Sequence, residues 1–157
     1  MKDSSAEKLT AIEKDVLAEI RALRTDSSAT LSRELLENPA RLVYHLIRIS
    51  HGNVQLRIIT IARAIGIEMR TLERAFADEY EQTMTECQSA VRLEFARRML
   101  SMDPPSKTGA IAAFLGYVRL QDFNRFFKKH MRQSPAEWGR TERERIAREG
   151  NNAKRGG

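Results

Sequence analysis

The chain has 157 residues, of which 41% are hydrophobic, so it can bury the core of one soluble domain or of two small ones. No apolar run approaches the length of a membrane-spanning helix, the N-terminus lacks a signal-peptide-like apolar region, and the single cysteine excludes an intramolecular disulfide and fits a reducing cytoplasm. All of the net charge of +6 lies in residues 56–157, and residues 104–140 hold seven basic against two acidic side chains. Such a concentration is typical of proteins that bind nucleic acid phosphates, and a merely basic surface is the simpler alternative.

An amphipathic helix over about residues 6–24 is the first predicted element. Ser4 and Glu7 have the spacing of a capping box. Apolar side chains then recur every three or four positions, at Leu9, Ile12, Val16, Ile20 and Leu23. A lone helix must bury such a stripe, either by folding back on the chain or by pairing with its copy in a homodimer, and the sequence leaves both possibilities open. We assign residues 1–38 to this extension and the linker that follows it.

Three helices are predicted next, over residues 38–50, 58–65 and 69–80. The first has Asn38 as its cap and Pro39 at its first helical position. In the third, Leu72 and Phe76 point to the same side one turn apart. A long connecting helix then covers residues 83–101. A second capping box opens it, and two prolines end it because proline cannot continue a helix.

The most informative segment covers residues 108–138. A short helix of small residues ends at Gly116, whose backbone freedom permits a tight turn. The next helix restarts near Arg119 and carries Phe123 and Phe127 one turn apart. Its other face holds polar side chains at helical spacing, which are Gln121, Asn124, Arg125 and Lys128. This pattern is typical of a helix-turn-helix whose second helix enters a major groove.

Ser134 and Pro135 predict the start of a short last helix that contains Trp138. Residues 140–157 mix charges and end in glycines, which predicts a frayed helix followed by disorder. No segment alternates like a strand, so the fold is predicted to be all-α.

The two helix pairs repeat one pattern. Ile61-Ala62 aligns with Ile111-Ala112, Gly66 with Gly116, and, after a one-residue shift, Leu72, Arg74 and Phe76 with Phe123, Arg125 and Phe127. Together with the RLEFARRML of the connecting helix and the closing SPAEW, these motifs resemble the AraC/XylS family of transcription regulators over about residues 40–139. The resemblance is specific because four pieces occur in the order that the family has.

The resemblance implies two helix-turn-helix subdomains joined by a long connecting helix, here preceded by the N-terminal amphipathic helix. The implied DNA-binding domain covers residues 39–139, with unit one at about 39–82, the connecting helix at 83–101 and unit two at 106–139. It also implies a sequence-specific binder of double-stranded DNA that activates transcription through RNA polymerase, in the bacterial cytoplasm and associated with the nucleoid. The residues themselves do not distinguish activation from repression.

The chain departs from the family in three respects. Glu68-Met69 stands where Ser-Pro or Ser-Lys is usual, so the first recognition helix lacks a good cap. Residues 81–86 replace the usual Gly-x-Ser-Pro turn. Most members also carry an effector-binding domain, whereas about 38 residues precede the domain here. Either this regulator is controlled by its own abundance, or the sequence is an excised C-terminal domain.

Candidate DNA contacts are the polar side chains on the exposed faces of the two recognition helices. Arginine, glutamine and asparagine can pair with the edges of guanine and adenine. The base-reading candidates are Arg70, Glu73 and Arg74 in unit one and Leu120, Gln121, Asn124 and Arg125 in unit two. Glu73 could accept from a cytosine amino group or simply repel phosphate, and Leu120 could pack on a thymine methyl. The phosphate candidates are Lys128, Lys129 and Arg132, with the backbone N–H groups at the starts of the Ile58 and Thr108 helices.

The two units differ in charge. Residues 57–103 hold seven basic and eight acidic side chains, and Asp78, Glu79 and Glu81 crowd the end of the first recognition helix. We therefore expect unit two to anchor the complex and unit one to add specificity. The alternative is that local geometry keeps these acids away from DNA.

Other residue types point to structure rather than chemistry. Five aromatic residues and Cys87 are predicted to be core rather than sites of chemistry. The five are Phe76, Phe123, Phe126, Phe127 and Trp138. His45, His51 and His130 lack the spacing of metal ligands, and no catalytic set or cofactor site is predicted. Two further hypotheses stay open, a helical protein-interaction module with vestigial DNA binding and a DNA-repair alkyl acceptor that uses Cys87.

Overall fold

The computed structural model describes residues 8–26 and 29–156, and within these ranges every regular element is an α-helix. The predicted all-α fold is confirmed. The helices are α1 (Ala11–Thr25), α2 (Thr30–Glu37), α3 (Pro39–Ile49), α4 (Ile58–Ile65), α5 (Met69–Tyr80), α6 (Met84–Ser101), α7 (Thr108–Phe114), α8 (Leu120–Met131) and α9 (Pro135–Arg155). Among the described residues, no helix is both long and apolar enough to cross a membrane.

The chain divides into an N-terminal unit of residues 1–91 and a C-terminal unit of residues 92–157. Each unit has a hydrophobic core of its own and contains one helix-turn-helix, α4–α5 in the N-terminal unit and α7–α8 in the C-terminal unit. Helix α6 contributes its first part to one unit and its second part to the other.

Helix α1 folds back on the N-terminal unit. The Val16, Ile20 and Leu23 side chains of its stripe are buried in the same core as residues of α3, α4 and α5. Of the two possibilities for this stripe, the fold-back is the one observed. A homodimer contact through the stripe would require α1 to leave its own unit.

The helix also begins later than the sequence pattern indicates. Residues 8–10 are not helical, and Thr10 caps α1 in a capping box with Glu13. The predicted box of Ser4 and Glu7 lies outside the described residues. The apolar stripe was correctly identified, but the start was not, because periodicity alone does not locate a cap.

A buried carboxylate joins α1 to the start of α4. The Glu13 side chain is fully buried and accepts hydrogen bonds from Nε of Arg57 at 2.8 Å, from Nη2 of Arg57 at 2.8 Å and from the Arg57 backbone N–H at 3.0 Å. The hydroxyl of Thr60 donates a further bond at 2.9 Å. A buried charge is tolerated when it is paired and hydrogen-bonded in this way. The bonds from Arg57, more than any other cause, lower the pKa of Glu13 to about 2.

The C-terminal unit is built on aromatic packing. Phe123 and Phe127 of α8 are fully buried, and so is Leu115, the residue that caps the C-terminal end of α7. Trp138 of α9 packs edge-on against Phe127, with ring centres 5.8 Å apart. The prediction that these aromatic residues belong to the core is confirmed.

Helix α9 is the element that departs most from expectation. The sequence predicts a short helix and, from Arg140, a frayed helix followed by disorder, whereas α9 continues as a regular helix to Arg155. Arg143 donates to the carbonyl of Leu100 at 2.6 Å, and the missing side chain of Gly139 lets the two backbones approach. Further along, Arg145 pairs with Glu142 and Glu149 within the helix. Local ion pairs at i, i+3 and i, i+4 stabilise a helix that has little apolar surface to bury.

We expect Glu13→Ala to lower the free energy of unfolding by about 2–3 kcal/mol. This expected loss is smaller than the roughly 3–5 kcal/mol that is typical when a fully buried ion pair is broken. The reason is that the Arg57 side chain is 35% exposed and can be hydrated again once Glu13 is removed. Urea titration followed by circular dichroism measures the change. Asp15→Ala is the matched control, because it removes an exposed carboxylate from the same helix and should change stability by less than about 0.5 kcal/mol. Equal losses in both variants would contradict the role of Glu13.

The same pair predicts how stability depends on pH. The pKa of Glu13 falls from an ordinary 4.5 to about 2 on folding, so its contribution is complete above about pH 4.5 and is lost as the pH falls towards 2. In urea titrations over this range, the stability difference between the wild type and Glu13→Gln should shrink as the pH falls. A difference that stays constant from pH 7 to pH 3 would show that Glu13 does not titrate in this way.

Candidate nucleic-acid interface

The same turn sets each recognition helix at an angle to the helix before it. In the N-terminal unit, Gly66 ends α4 with a left-handed backbone (φ 72°), and in the C-terminal unit Gly116 has φ 90°. The next residue returns a hydrogen bond into the preceding helix in both, from Ile67 N–H to the Ala62 carbonyl and from Tyr117 N–H to the Ala112 carbonyl. These bonds satisfy carbonyls at the end of the first helix. The repeat seen in the sequence is therefore a repeat of backbone geometry.

Each recognition helix buries one face and exposes the other. In α5, Leu72 and Phe76 are fully buried. In α8, Phe123 and Phe127 are fully buried. The candidate contact residues on the exposed faces are Arg70, Glu73, Arg74, Leu120, Gln121, Arg125, Lys128, Lys129 and Arg132, and Asn124 is half-buried. The sequence-predicted residues thus lie outside the cores, and their contacts with bases or phosphates stay predictions.

The starts of both recognition helices lack a side-chain cap. Glu68 precedes α5 and Arg119 precedes α8, and neither side chain accepts a bond from the first turn. The poor cap predicted at Glu68 is thus observed. In α8, Asp122 lies in the first turn and pairs with Arg125 at 3.4 Å. Sequence reasoning missed Asp122, although an acid three residues before an arginine on a helix is a recognisable signal.

Equivalent clefts open beside the two recognition helices. The cleft of the C-terminal unit has a volume of about 330 Å³ and is lined by Thr108, Leu120, Asn124, Arg125, Lys128, Ser134, Pro135 and Ala136. That of the N-terminal unit has about 320 Å³ and is lined by Ile58, Met69, Glu73, Thr83, Met84 and Thr85. Every residue of the second set is 50 or 51 positions before a member of the first. Each cleft lies where the first helix, the recognition helix and the start of the following helix meet.

The chemistry of the two clefts differs. Arg125 and Lys128 give the C-terminal cleft two cations, whereas Glu73 is the charged residue of the N-terminal one. In the C-terminal cleft, the Oδ1 atom of Asn124 is buried without a hydrogen-bond partner within the described structure. An orphaned acceptor of this kind is costly and needs a donor. Sequence reasoning missed the residues after each recognition helix, although the repeat at a spacing of 51 was a signal for them.

One backbone donor proposed for phosphate is already in use. The N–H of Arg57, at the start of α4, donates to Glu13. The buried carboxylate thus occupies part of the site that an anion would take at this helix start. At the start of α7, by contrast, Lys107 precedes the helix and no side chain caps it.

The acidic end of α5 is partly neutralised inside its own unit. Glu79 accepts from Nε of Arg41 at 3.0 Å, which directs it towards α3. Asp78 and Glu81 remain exposed. Glu79 is also exposed, but its charge is paired with Arg41. That these acids stay away from DNA remains a prediction.

Arg92 of α6 links the turn and the recognition helix of the C-terminal unit. Its guanidinium carbon lies 4.9 Å from the centre of the Phe126 ring and 5.9 Å from that of Tyr117. Phe126 belongs to α8, and Tyr117 to the turn before it. Burial lowers the pKa of Arg92, and Tyr117 partly offsets this effect. Cation–π contacts of this kind contribute about 0.5–2 kcal/mol each.

Two observations bear on the metal site and the reactive cysteine that the sequence raised as questions. The described residues contain no group of three or more His, Cys, Asp or Glu residues that could hold a metal ion. Cys87 is 1% exposed, and burial raises the pKa of its thiol. A buried thiol with a raised pKa is a poor nucleophile, so the hypothesis of an alkyl acceptor loses its support.

Comparison with known proteins found one matching family and similar solved structures. The helix-turn-helix domain family matches residues 61–141, about half of the chain. The solved structure of the xylose-binding transcription activator xylR is 28% identical, with a TM-score of 0.55, over 66% of this chain and 27% of its own, so the chain spans about a quarter of that protein. A probable AraC family transcriptional regulator from Rhodopseudomonas palustris CGA009 is 24% identical, with a TM-score of 0.54, over 68% of this chain and 98% of its own. No curated protein matches the sequence.

We expect Arg92→Met to weaken binding to a selected DNA duplex about 5–30-fold, because α8 loses contacts of about 1–2 kcal/mol that orient it. The dependence of affinity on salt should not change, since Arg92 would position the helix without touching phosphate. Arg92→Lys keeps the cation and should recover part of the loss. The matched control is Arg98→Met, at an exposed arginine of the same helix.

Fluorescence anisotropy over a salt series, with circular dichroism as a check of folding, measures both effects. A salt slope that becomes shallower by about one in Arg92→Met would instead mean that Arg92 contacts a phosphate itself.

Proposed function

Because the chain belongs to the AraC-type helix-turn-helix family of DNA-binding transcription regulators, which are not enzymes, we propose that it recognises a specific double-stranded DNA site through α5 and α8. The observation that carries this proposal is the division of each recognition helix into a fully buried apolar face and an exposed polar face. The DNA-binding part is residues 39–139.

Base recognition is assigned to the exposed faces of the two helices. In α8, Gln121 and Arg125 have the paired donors and acceptors that fit adenine and guanine, and Leu120, 43% exposed, can contact a thymine methyl. Asn124 is half-buried on the same helix and is proposed to read a base or to contact a sugar. In α5, Arg70 and Arg74 have the same capacity, and Glu73 can accept from cytosine.

Affinity is assigned mainly to the C-terminal unit. Lys128, Lys129 and Arg132 are exposed at the end of α8 and would contact phosphates, which fix the register of the protein on the duplex. The cations of the C-terminal cleft and the acid of the N-terminal cleft support this division of labour. The N-terminal unit would then add specificity at a lower affinity.

Two reading helices in one chain suit an asymmetric site. We expect α5 and α8 to enter successive major-groove segments, about 34 Å apart on one side of the duplex. Helix α6 is continuous over 18 residues and contributes to both units. If the two helices did not fit both groove segments of straight DNA, the duplex would bend, at a cost of about 1–6 kcal/mol. Because the α1 stripe is buried in its own unit, the binding species is proposed to be a monomer rather than a dimer formed through α1.

The regulatory step concerns the effect of DNA binding on transcription. By analogy with the family, we propose activation of transcription through contact with RNA polymerase, in the bacterial cytoplasm at the nucleoid. The second candidate function is a protein-interaction module with weak DNA binding. The acidic first helix-turn-helix, where residues 57–103 hold seven basic and eight acidic side chains, favours that alternative.

Selection from random duplexes, followed by affinity measurements at several salt concentrations, tests the proposal. A DNA-binding regulator should select a defined motif and show a steep fall in affinity with salt, because each phosphate contact releases counterions. A protein-interaction module should select no motif and bind duplexes with a shallow salt slope.

On the selected duplex, we expect Arg125→Ala and Gln121→Ala each to weaken binding about 5–150-fold and to relax the preference at one base pair, since each loses about 1–3 kcal/mol of discrimination. Arg33→Ala is the control, because it removes an exposed arginine of α2, outside both recognition helices. Anisotropy titrations on the selected site and on single-base variants measure both effects. Unchanged affinity and preference in the two α8 variants would refute their assignment as base-reading residues.

A further inference from the structure

Helix α9 extends well past the part of the chain that the family shares. The family match ends at residue 141, and α9 continues as a regular helix to Arg155. Fourteen further helical residues add about 21 Å of length at 1.5 Å per residue. The apolar core does not explain this extension, because residues 144–155 are all exposed.

The charges of the extension are unevenly distributed along its length. Residues 140–157 hold six basic and three acidic side chains. Two of the acids, Glu142 and Glu149, are paired with Arg145 inside the helix. Glu144 is the third acid, and no acid follows Glu149. The end of α9 therefore carries unopposed positive charge.

The remaining cations share one face. Arg140, Arg148, Lys154 and Arg155 lie within about 120° of one another at 3.6 residues per turn, on the side away from the Glu142–Arg145–Glu149 cluster. Glu144 lies on the same face, four residues from both Arg140 and Arg148, so the face holds four cations and one acid. All four cations are exposed, and none has an ion pair within the described residues. Two of them lie in the last turn, where positive charge also suits the helix dipole. The helix dipole does not explain the positive charges of Arg140 and Arg148, because neither residue lies in the last turn.

The helix starts beside the proposed reading face and is held there. Ser134, Pro135 and Ala136 line the same cleft as Arg125 and Lys128 of α8. Arg143 fixes α9 to the Leu100 carbonyl at 2.6 Å, so the helix is docked within the C-terminal unit. The basic helix therefore begins at the edge of the proposed DNA-reading surface.

We propose that the exposed basic face of α9 contacts the phosphates of duplex DNA that flanks the segment read by α8. This inference rests on the proposed function and adds a third contact surface to it. The contacts are electrostatic and independent of sequence, so they would raise affinity and lengthen the protected segment without changing the selected motif. The partner is DNA because the free charges are cations, and the phosphate spacing of about 3.4 Å per strand puts several phosphates along the extension.

The test compares two charge-matched triple variants on the selected site within a longer duplex. The first is Arg148→Gln with Lys154→Gln and Arg155→Gln in α9. The second is Lys14→Gln with Arg21→Gln and Arg33→Gln, three exposed basic residues of the N-terminal unit. Each removes three positive charges, so an effect of net charge alone is the same in both. Circular dichroism checks that helix content is kept.

The slope of log affinity against log salt should become shallower by about 0.9 for each lost phosphate contact, so by about 2–3 in the α9 variant, and should stay unchanged in the control. The hydroxyl-radical footprint should shorten at one end, and the selected motif should stay the same. The inference would be overturned if the salt slope and the footprint of the α9 variant stayed unchanged, or if both variants changed equally. An unchanged slope would mean that α9 is a solvated helix or a surface for an acidic protein. Absence of duplex binding by the wild type would instead refute the proposed function.

Discussion

The constraint on which the structure depends is that each recognition helix must bury one face completely in order to present the other. Leu72 and Phe76 in α5, and Phe123 and Phe127 in α8, meet this constraint at the same spacing of one helical turn. Burial of such side chains contributes about 1.5–3 kcal/mol each, which is large compared with the net stability of a small domain. A polar helix without this anchorage would have no defined orientation, and its arginine and amide side chains could not be aimed at base edges.

Different interactions stabilise the two helix-turn-helix pairs. In the N-terminal unit, a buried carboxylate from α1 binds the start of α4, so a helix that lies outside the matched family region becomes part of the first helix-turn-helix. In the C-terminal unit, the comparable support is aromatic, with Arg92 packed over Phe126 and Tyr117. A charge that is buried and paired fixes geometry without adding much stability, whereas an aromatic cluster contributes both.

This asymmetry extends to the clefts beside the recognition helices. Their linings correspond position by position, yet one contains Arg125 and Lys128 and the other Glu73. Similar backbones thus carry opposite charge, and the basic face of α9 adds to the imbalance. This difference in charge supports the proposal that electrostatic attraction to DNA is concentrated on the C-terminal unit, while the N-terminal unit adds discrimination.

The sequence by itself determined the all-α fold, the two helix-turn-helix pairs and the side of each recognition helix that faces the core, because these features follow from local periodicity and from glycine and proline positions. It did not determine where α1 packs, since an amphipathic stripe is buried equally well in its own chain or in a second one. The role of Glu13 was not visible because its partners, Arg57 and Thr60, are more than forty positions away. The length of α9 was missed because its stability comes from ion pairs and from the docking of Arg143 rather than from an apolar stripe. The clefts also required the tertiary structure, since each is formed by three helices that only folding brings together.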